Sequence, residues 1–393
     1  MEAEIDGLFY KEYDCKPQAT CSAPGVLHLL GEHAEFARGH VLSLALPLSA
    51  RVAVSRRTDS SIRMYTRLYD ERKRCSVSNL KFKREDRWAN LLKAVLAGLD
   101  TMGCSLTGLN ILVDCSIPDG RGLGASSAIC LAATLALCQL YSFKITDAQT
   151  IYIAHTAETQ FINRPNQVST CYTSIHAHAG AIFSLDLRSL EYRHLRLTAQ
   201  DLHFYLIDSM VPPVGAMEEF LQRQNDYVEV RGRLKPMTGK RDLRDISSRE
   251  LKELVASLPE GLRRICMHIS SEEERHHQAV DSIESGQVLA LGKILHHSHE
   301  SLRDNYEVSC PEIDWLAKHH SEIKGCLAIR LTGKGFGASA VLVAMCDIAE
   351  IEASMLPFFD EYERIFGFQA QVRRIVVSGG ALGMRMGIAS AKA

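Results

Sequence analysis

Apolar and polar positions alternate with the periods of strands and helices in turn along the first half of the chain. Residues 41–55 alternate around a turn and predict strand on both sides of it. Residues 87–103 carry apolar side chains at helical spacing and end near Gly103, which predicts a helix. Residues 108–120 predict a strand followed by a turn, and the mostly apolar stretch 125–141 predicts a buried helix.

The rest of the chain continues this mixture. Thr146 and Asp147 are residue types that commonly begin a helix. The remaining predicted elements are, in chain order, a helix over 146–163, a hairpin over 177–195, a strand over 203–211, helices over 250–265 and 273–303, and a strand, glycine loop and apolar segment over 326–345.

Composition narrows the class of protein. At about 150 residues per domain, 393 residues predict two or three lobes. The 46% hydrophobic and 23% charged residues are typical of a globular protein. Lys plus Arg (45) and Asp plus Glu (47) give a net charge of −2, which indicates no nucleic-acid partner. The longest apolar runs, 41–50 and 128–141, are too short to span a bilayer, so no membrane partner is expected.

The cysteines and the N-terminal residues indicate the compartment in which the protein is expected. The 12 cysteines contain no C-x-x-C pair, which excludes the common zinc modules and redox dithiols. The N-terminus MEAEIDGLFYKEYD is acidic and lacks the pattern of a signal peptide. We therefore expect a reducing, cytoplasmic location.

One dense basic stretch covers residues 229–246. A nucleic-acid patch and a solvated, flexible surface insertion are both compatible with its charge. The absence of interleaved aromatic residues favours the surface insertion.

A glycine loop with candidate phosphate chemistry lies at 117–128, IPDGRGLGASSA, between the predicted strand and the buried helix. Its three glycines are Gly120, Gly122 and Gly124. They allow successive backbone N–H groups to face one anion. Ser126 and Ser127 fall at the start of the helix, where the dipole favours phosphate and a hydroxyl can bind Mg²⁺. A turn with capping serines and no ligand is the structural alternative.

A second loop, LTGKGFGASAV, covers residues 331–341 and is open to the same two interpretations. Neither loop contains the P-loop pattern G-x-x-x-x-G-K-[ST]. Both match the loose dinucleotide pattern G-x-G-x-x-[GA], but two helices follow the first and the chain nearly ends after the second. A dinucleotide-binding domain is therefore not predicted.

Five stretches of the chain resemble the GHMP kinases, and within them the galactokinases. APGVLHLLGEHAEF (23–36) is similar to the signature APGRVNLIGEHTDY, and 117–128 to the ATP loop P-x-G-x-G-L-S-S-S-A. AETQFINRPNQVSTC (157–171) is similar to AEHxFxGxPCGIMDQ, without a gap. SHESLRDNYEVSCPEID (298–314) nearly matches the family consensus, and RLTGKGFGAS (330–339) is similar to RMTGGGFGGC.

The resemblance implies the two-lobed α+β fold of the GHMP kinases, with an active site between the lobes. The N-terminal lobe, of mixed sheet and helices, would be residues 1–198, and the C-terminal lobe, of antiparallel sheet and helices, residues 199–393. The implied reaction transfers the ATP γ-phosphoryl group to the anomeric hydroxyl of a sugar. The implied cofactors are ATP and Mg²⁺, and a monomer with a small sugar as its partner is expected.

The nucleotide side of the implied site is largely kept. The Mg²⁺ ligands would be Ser126 and Glu158, the latter being the glutamate of the AEH motif. Without the resemblance, Glu158 is equally compatible with an exposed carboxylate on a helix. The positions matching the ATP loop are Gly120, Gly122, Leu123, Gly124, Ala125, Ser126 and Ser127.

The catalytic positions are substituted. The arginine of APGR and the aspartate of IMD flank the sugar hydroxyl in the family, and Val26 and Thr170 stand at these positions here. Neither side chain can carry a charge. A positioned base contributes about 10²–10⁴-fold to a rate. Phosphoryl transfer depends mainly on positioning and electrostatics, however, and some GHMP kinases work without that aspartate.

The positions that face the sugar in the family also differ. Glu32 and His33 are kept, but Glu35 replaces an aspartate and moves the carboxylate by about 1.5 Å, one carbon–carbon bond. Phe36 replaces a tyrosine of the signature, and by spacing Phe220 replaces a later one. The CGI stretch is replaced by Asn166, Gln167 and Val168.

Two hypotheses follow from this contrast. The first is an ATP- and Mg²⁺-dependent sugar kinase, galactokinase-like, with an acceptor changed from galactose. The second is a catalytically silent relative that binds ATP, and a sugar as well, as a sensor or scaffold.

Overall fold

Two sheets, each with its own helices, organise the chain in the computed structural model, which describes residues 2–381 except 200, 239–241, 247 and 338. Residues 382–393 of the predicted C-terminal lobe lie outside the described residues, as do three residues of the basic segment. Among the described residues, no helix combines the length and the apolar character needed to cross a membrane.

The first sheet is built from strands in the first half of the chain. Its strands are β1 (Ala19–Leu30), β2 (His40–Arg56), β3 (Ser61–Thr66), β4 (Glu71–Ser76), β5 (Leu109–Cys115), β6 (Ala181–Asp186) and β7 (Tyr192–Arg196). Their order is β4-β3-β5-β2-β6-β7, and β1 pairs with β2. Only the β3–β5 pair is parallel among these described pairings, so the sheet is mixed, as expected.

The turn predicted within 41–55 is wrong, because β2 runs without interruption through Pro47. β1 pairs along most of β2, with a bulge opposite the proline between Pro24 and Val26. β6 pairs with the first residues of β2 and β5 with residues 50–56, so Pro47 falls between these two partners. A proline lacks the N–H group that a ladder needs, and this gap in the pairing accommodates it.

The helices of the first lobe are α1 (Glu2–Tyr13), α2 (Ala89–Thr101), α3 (Ala125–Tyr141), α4 (Asp147–Thr156) and α5 (Val168–His176). The predictions for α2 and α3 are confirmed. Thr146 and Gln149 cap α4 reciprocally, and a π-turn over Ala157–Phe161 completes the predicted helical stretch. The sequence did not predict α1, which packs Ile5 and Phe9 onto the sheet.

The second sheet is antiparallel, with order β11-β8-β10-β9. Its strands are β8 (Leu202–Asp208), β9 (Cys326–Thr332), β10 (Ser339–Met345) and β11 (Gln371–Ile375). Its helices are α6 (Ala216–Thr238), α7 (Ser248–Val255), α8 (Glu260–Glu284), α9 (Val288–Asp304), α10 (Pro311–Lys318) and α11 (Ile348–Phe366). The strands of the first sheet end at Arg196 and those of the second begin at Leu202, while the division into domains at residue 198 stays a prediction.

The flexible insertion predicted for 229–246 is wrong over its first ten residues, which continue α6. Val230 and Leu234 are buried in the core of the second lobe, so apolar positions anchor this helix despite its many charges. The predicted helices over 250–265 and 273–303 become three, separated near Pro259 and Gly286.

Candidate active site

A cleft of about 230 Å³ opens at the N-terminus of α3. The first glycine loop lines one side, and residues of the second lobe line the other. The lining residues used below are Gly120, Arg121, Gly122, Leu123, Gly124, Ala125, Ser126, Ser127, Glu158, Arg164, Asn166, Thr170 and Lys334. All seven positions matching the ATP loop thus face one cavity, together with Glu158 and Thr170.

The two glycine loops touch each other at the cleft. Gly122 and Gly333 both adopt left-handed backbone conformations, with φ of +72° and +77°. A Cβ atom on Gly122 would lie 3.0 Å from the Cα of Gly333 and 3.3 Å from the nitrogen of Lys334. Only glycine satisfies both the backbone angle and the close approach. The second loop is therefore a structural part of the cleft, in contact with the first loop.

Gly122→Ala is expected to lower both stability and ATP affinity, because the opposing atoms are backbone and one loop must move away. Gly120→Ala is the matched control, since Gly120 has a φ of +70° but nothing within 4 Å of its Cβ position. Both variants cost about 1–2 kcal/mol for the left-handed residue, and crowding adds about 1 kcal/mol or more at Gly122. Unfolding with and without Mg-ATP measures this, and equal costs would contradict the contact.

Glu158 is the best-placed candidate metal ligand. It lies in the π-turn after α4 and is buried, which rules out the exposed helix carboxylate that the sequence left open. Ser127 Oγ and Asn166 Nδ2 donate to its Oε1 at 2.8 and 2.6 Å. Burial raises the pKa of Glu158, while the hydrogen bond from Ser127 opposes that rise. The carboxylate and the serine hydroxyls of Ser126 and Ser127, which line the same cleft, are hard oxygen donors and fit Mg²⁺.

Val26 and Thr170, the two positions predicted to match the family's catalytic residues, lie together against the first glycine loop. A Cβ atom on Gly124 would be 2.6 Å from Thr170 Cγ2 and 4.0 Å from Val26 Cβ. The backbone N–H of Val26 donates to the carbonyl of Leu123 at 2.9 Å. Val26 is fully buried, and Thr170 lines the cleft. This part of the site therefore packs closely and carries no charge of its own.

Glu32 is engaged in a buried ion-pair network between the lobes. Its two carboxylate oxygens each accept from Arg330 at 2.7 Å, and the guanidinium also pairs with Glu272 at 3.2 Å. Ser298 Oγ accepts from Arg330 Nε at 2.9 Å and donates to Glu272. The structure places this carboxylate outside the lining of the cleft, where it joins the end of β1 to β9 and to α8.

His33 and Phe220 belong to an aromatic cluster that also includes Phe36 and Tyr306. The His33 ring lies 4.8 Å from Tyr306 and 5.9 Å from Phe220, and the Phe36 and Phe220 rings are 5.3 Å apart. Neither ring nitrogen of His33 has a hydrogen-bond partner among the described residues. Burial lowers the pKa of His33 well below its usual range, so the imidazole is neutral.

Glu35 places its carboxyl group at the start of α5. Burial raises the pKa of Glu35 to about 7, against the opposing influence of the backbone N–H groups of Val168 and Ser169. Its Oε2 is buried without a partner among the described residues. A carboxyl with such a pKa changes charge near neutral pH.

Glu35→Gln is expected to remove a pH dependence of stability. Because folding raises the pKa of Glu35 from 4.5 to about 7, its contribution is present below pH 4.5 and is lost as pH rises through 7. The loss is about 3 kcal/mol at high pH. Denaturant unfolding at pH 5 and pH 8 measures it, with the exposed Glu363→Gln as control. A stability difference from wild type that is the same at both pH values would contradict the assignment.

Three residues of the site were not singled out by their sequence pattern. Asn166 appeared only as a departure from the CGI stretch, although it bonds both Ser127 and Glu158. Arg330 and Lys334 lie in the third motif without an assigned role. A charged residue inside an apolar strand, as at Arg330, was the available signal.

Family matches and solved structures show which proteins this chain resembles. Residues 90–175 match the family described as GHMP kinases N terminal domain, and residues 7–56 match the galactokinase galactose-binding signature. The fold is similar to the crystal structure of Lactococcus lactis galactokinase complexed with galactose, with a TM-score of 0.90, 21% identity, and coverage of 96% of this chain and 98% of that one. This likeness shows the two-lobed α+β fold.

Sequence relatives extend along almost the whole chain. A Treponema pallidum protein, provisionally named a galactokinase, is 32% identical over 385 residues, covering 96% of this chain and 95% of the relative. The galactokinase of Roseiflexus sp. is 30% identical, covering 91% and 89%, and that of Streptomyces coelicolor is 31% identical, covering 85% and 87%. The chain therefore belongs to the galactokinase family of the GHMP kinases.

Proposed function

We propose that this protein is an ATP- and Mg²⁺-dependent sugar kinase whose acceptor differs from galactose. The observation that carries the proposal is the Glu158 carboxylate, which Ser127 and Asn166 hold in the lining of the cleft beside Ser126, where α3 begins. A buried carboxylate with a raised pKa costs stability unless a cation uses it. Its retention beside a glycine loop therefore favours a metal–nucleotide site.

Each half of the nucleotide site has a distinct task in this proposal. The N–H groups of the loop over residues 120–127 bind the phosphates of ATP, where the dipole of α3 favours negative charge. Ser126 and Glu158 hold Mg²⁺, and Ser127 with Asn166 fixes the carboxylate. The metal, when bound, neutralises charge on the β- and γ-phosphates.

A changed acceptor is supported by the state of the positions that match the family's sugar site. Glu32 is ion-paired with Arg330, and the rings of His33, Phe36 and Phe220 pack against one another. None of these four lines the described cleft. The two phenylalanines lack the hydroxyls that the family's tyrosines offer. A site that leaves sugar hydroxyls without partners discriminates against that sugar by orders of magnitude.

The test is ADP release from Mg-ATP across a panel of sugars and polyols headed by galactose. We expect Mg²⁺-dependent turnover with an acceptor other than galactose. Galactose as the best acceptor would overturn the changed specificity, and no ADP above background with any acceptor would overturn the kinase.

The second candidate is a catalytically silent relative that binds nucleotide. The uncharged contact of Val26 and Thr170 with Gly124 favours it, since the family's two charged groups are absent there. Thermal unfolding with Mg-ATP tests the nucleotide binding that both candidates require, because a ligand at 100 times its Kd stabilises the fold by about 2.7 kcal/mol. Stabilisation by Mg-ATP together with no turnover for any acceptor would identify the silent protein.

A further inference from the structure

Lys334 brings a positive charge into the cleft from the second lobe. It stands in the stretch TGKGFG, where the family motif has a glycine. Its Nζ donates to the carbonyl of Pro165 at 2.7 Å and lies 5.2 Å from the centre of the Phe220 ring. The side chain therefore crosses from the second glycine loop to the segment that carries Asn166.

Lys334 lines the cleft together with Glu158 and the residues of the first glycine loop. Burial lowers its pKa, and the charges of Glu158 and Glu35 oppose that effect. Glu158 is the candidate metal ligand, and Glu35 matches a position that faces the sugar in the family. A cation that lines the same cleft as Glu158 is placed beside the nucleotide of the proposed function.

The ammonium group of Lys334 has N–H donors that no described residue uses. A lysine offers three N–H groups, and among the described residues Lys334 uses one, for Pro165. The two other donors remain for water or for a ligand in the cleft. An anion entering the cleft would accept from them in place of water.

The other cations that line the cleft are placed differently. Arg121 pairs with Asp208 at 3.0 Å and donates to the carbonyl of Val211 at 2.9 Å, so it is engaged by the second lobe. Arg164 is exposed to solvent. Lys334 is instead partly buried, and its backbone nitrogen lies against the ATP loop, 3.3 Å from the Cβ position of Gly122.

We propose that Lys334 binds the γ-phosphate of ATP and supplies during transfer the positive charge that Val26 cannot. The transfer part rests on the proposed function. An acceptor hydroxyl oxygen forms a bond to the γ-phosphorus, and the bond to the β–γ bridging oxygen breaks with its electron pair on ADP. The hydroxyl proton leaves to the solvent. Lys334 holds the equatorial oxygens throughout, which is where such a cation has its effect.

The first test compares the affinities of Mg-ATP and Mg-ADP by calorimetry. Lys334→Ala is expected to weaken ATP binding about tenfold or more and ADP binding less than about twofold, because only ATP has the γ-phosphate. Lys334→Arg keeps the charge and is expected to retain most of the preference, and exposed Lys318→Ala is the control. An unchanged ratio of ATP to ADP affinity in Lys334→Ala, with folding confirmed by its melting curve, would overturn the proposal.

The second test separates this proposal from the proposed function. With the acceptor found in the panel, Lys334→Ala is expected to lower kcat by about 10²–10³-fold. An unchanged kcat in that variant overturns the transfer role of Lys334 and leaves the kinase intact. Loss of ATP preference in Lys334→Ala, with no turnover by the wild type, overturns the kinase and supports γ-phosphate binding by Lys334.

Discussion

Glu158→Gln is expected to lower Mg-ATP turnover by at least about 10²-fold while leaving the fold as stable as before or more so. Glutamine keeps an Oε1 that accepts from Ser127 and Asn166, so the local hydrogen bonds persist. It removes the charge that burial disfavours, as the raised pKa of Glu158 indicates. Loss of activity with retained stability distinguishes a metal ligand from a structural residue.

The measurement is the initial rate of ADP release as a function of Mg²⁺ concentration, paired with a melting curve. Glu363→Gln, an exposed change on α11, is the control and is expected to match the wild type. A Glu158→Gln variant that keeps the turnover and the Mg²⁺ dependence of the wild type would remove Glu158 from the metal site.

Arg330→Met is expected to lower the free energy of unfolding by about 3–5 kcal/mol. The guanidinium is fully buried and holds both oxygens of Glu32, together with Glu272. Arg275 pairs with Glu272 at 2.7 Å, so this carboxylate keeps a partner in the variant. Glu32 keeps no cation, and an uncompensated buried charge accounts for most of the expected loss.

A double-mutant cycle with Glu32→Gln tests this explanation. The second change neutralises the stranded carboxylate, so Arg330→Met with Glu32→Gln is expected to be more stable than Arg330→Met alone. Denaturant unfolding gives the coupling energy, which should exceed about 1 kcal/mol for groups in direct contact. Additive losses would show that Glu32 and Arg330 do not depend on each other.

The sequence predicted best those elements whose signals lie within the element or directly beside it. The helix predicted over 125–141 is α3 to the residue, because a glycine loop precedes it and a continuous apolar run fills it. The course of β2 was missed because it depends on which strands pair beside Pro47, and that pairing is a property of the whole sheet. The strand propensity of a single residue therefore predicts its structure poorly when pairing with distant strands determines that structure.

The candidate site was also predictable only in part, because short motifs are visible in the sequence and contacts between distant residues are not. The first glycine loop and Glu158 lie in short motifs, so the family resemblance pointed to both before any geometry was known. The tie between Glu32 and Arg330 joins residues 298 positions apart, and no local pattern reveals it. Lys334 was visible as a departure from the motif, but its entry into the cleft depends on the contact between the two glycine loops.

The most direct measurement of the central claim is transfer of a labelled γ-phosphoryl group from Mg-ATP to an isolated acceptor, with wild type and Glu158→Gln side by side. The account predicts that the label appears on a sugar other than galactose, requires Mg²⁺, and falls at least about 10²-fold in the variant. Label that appears on galactose in preference to every other acceptor, or that stays on ATP with all of them, would contradict it.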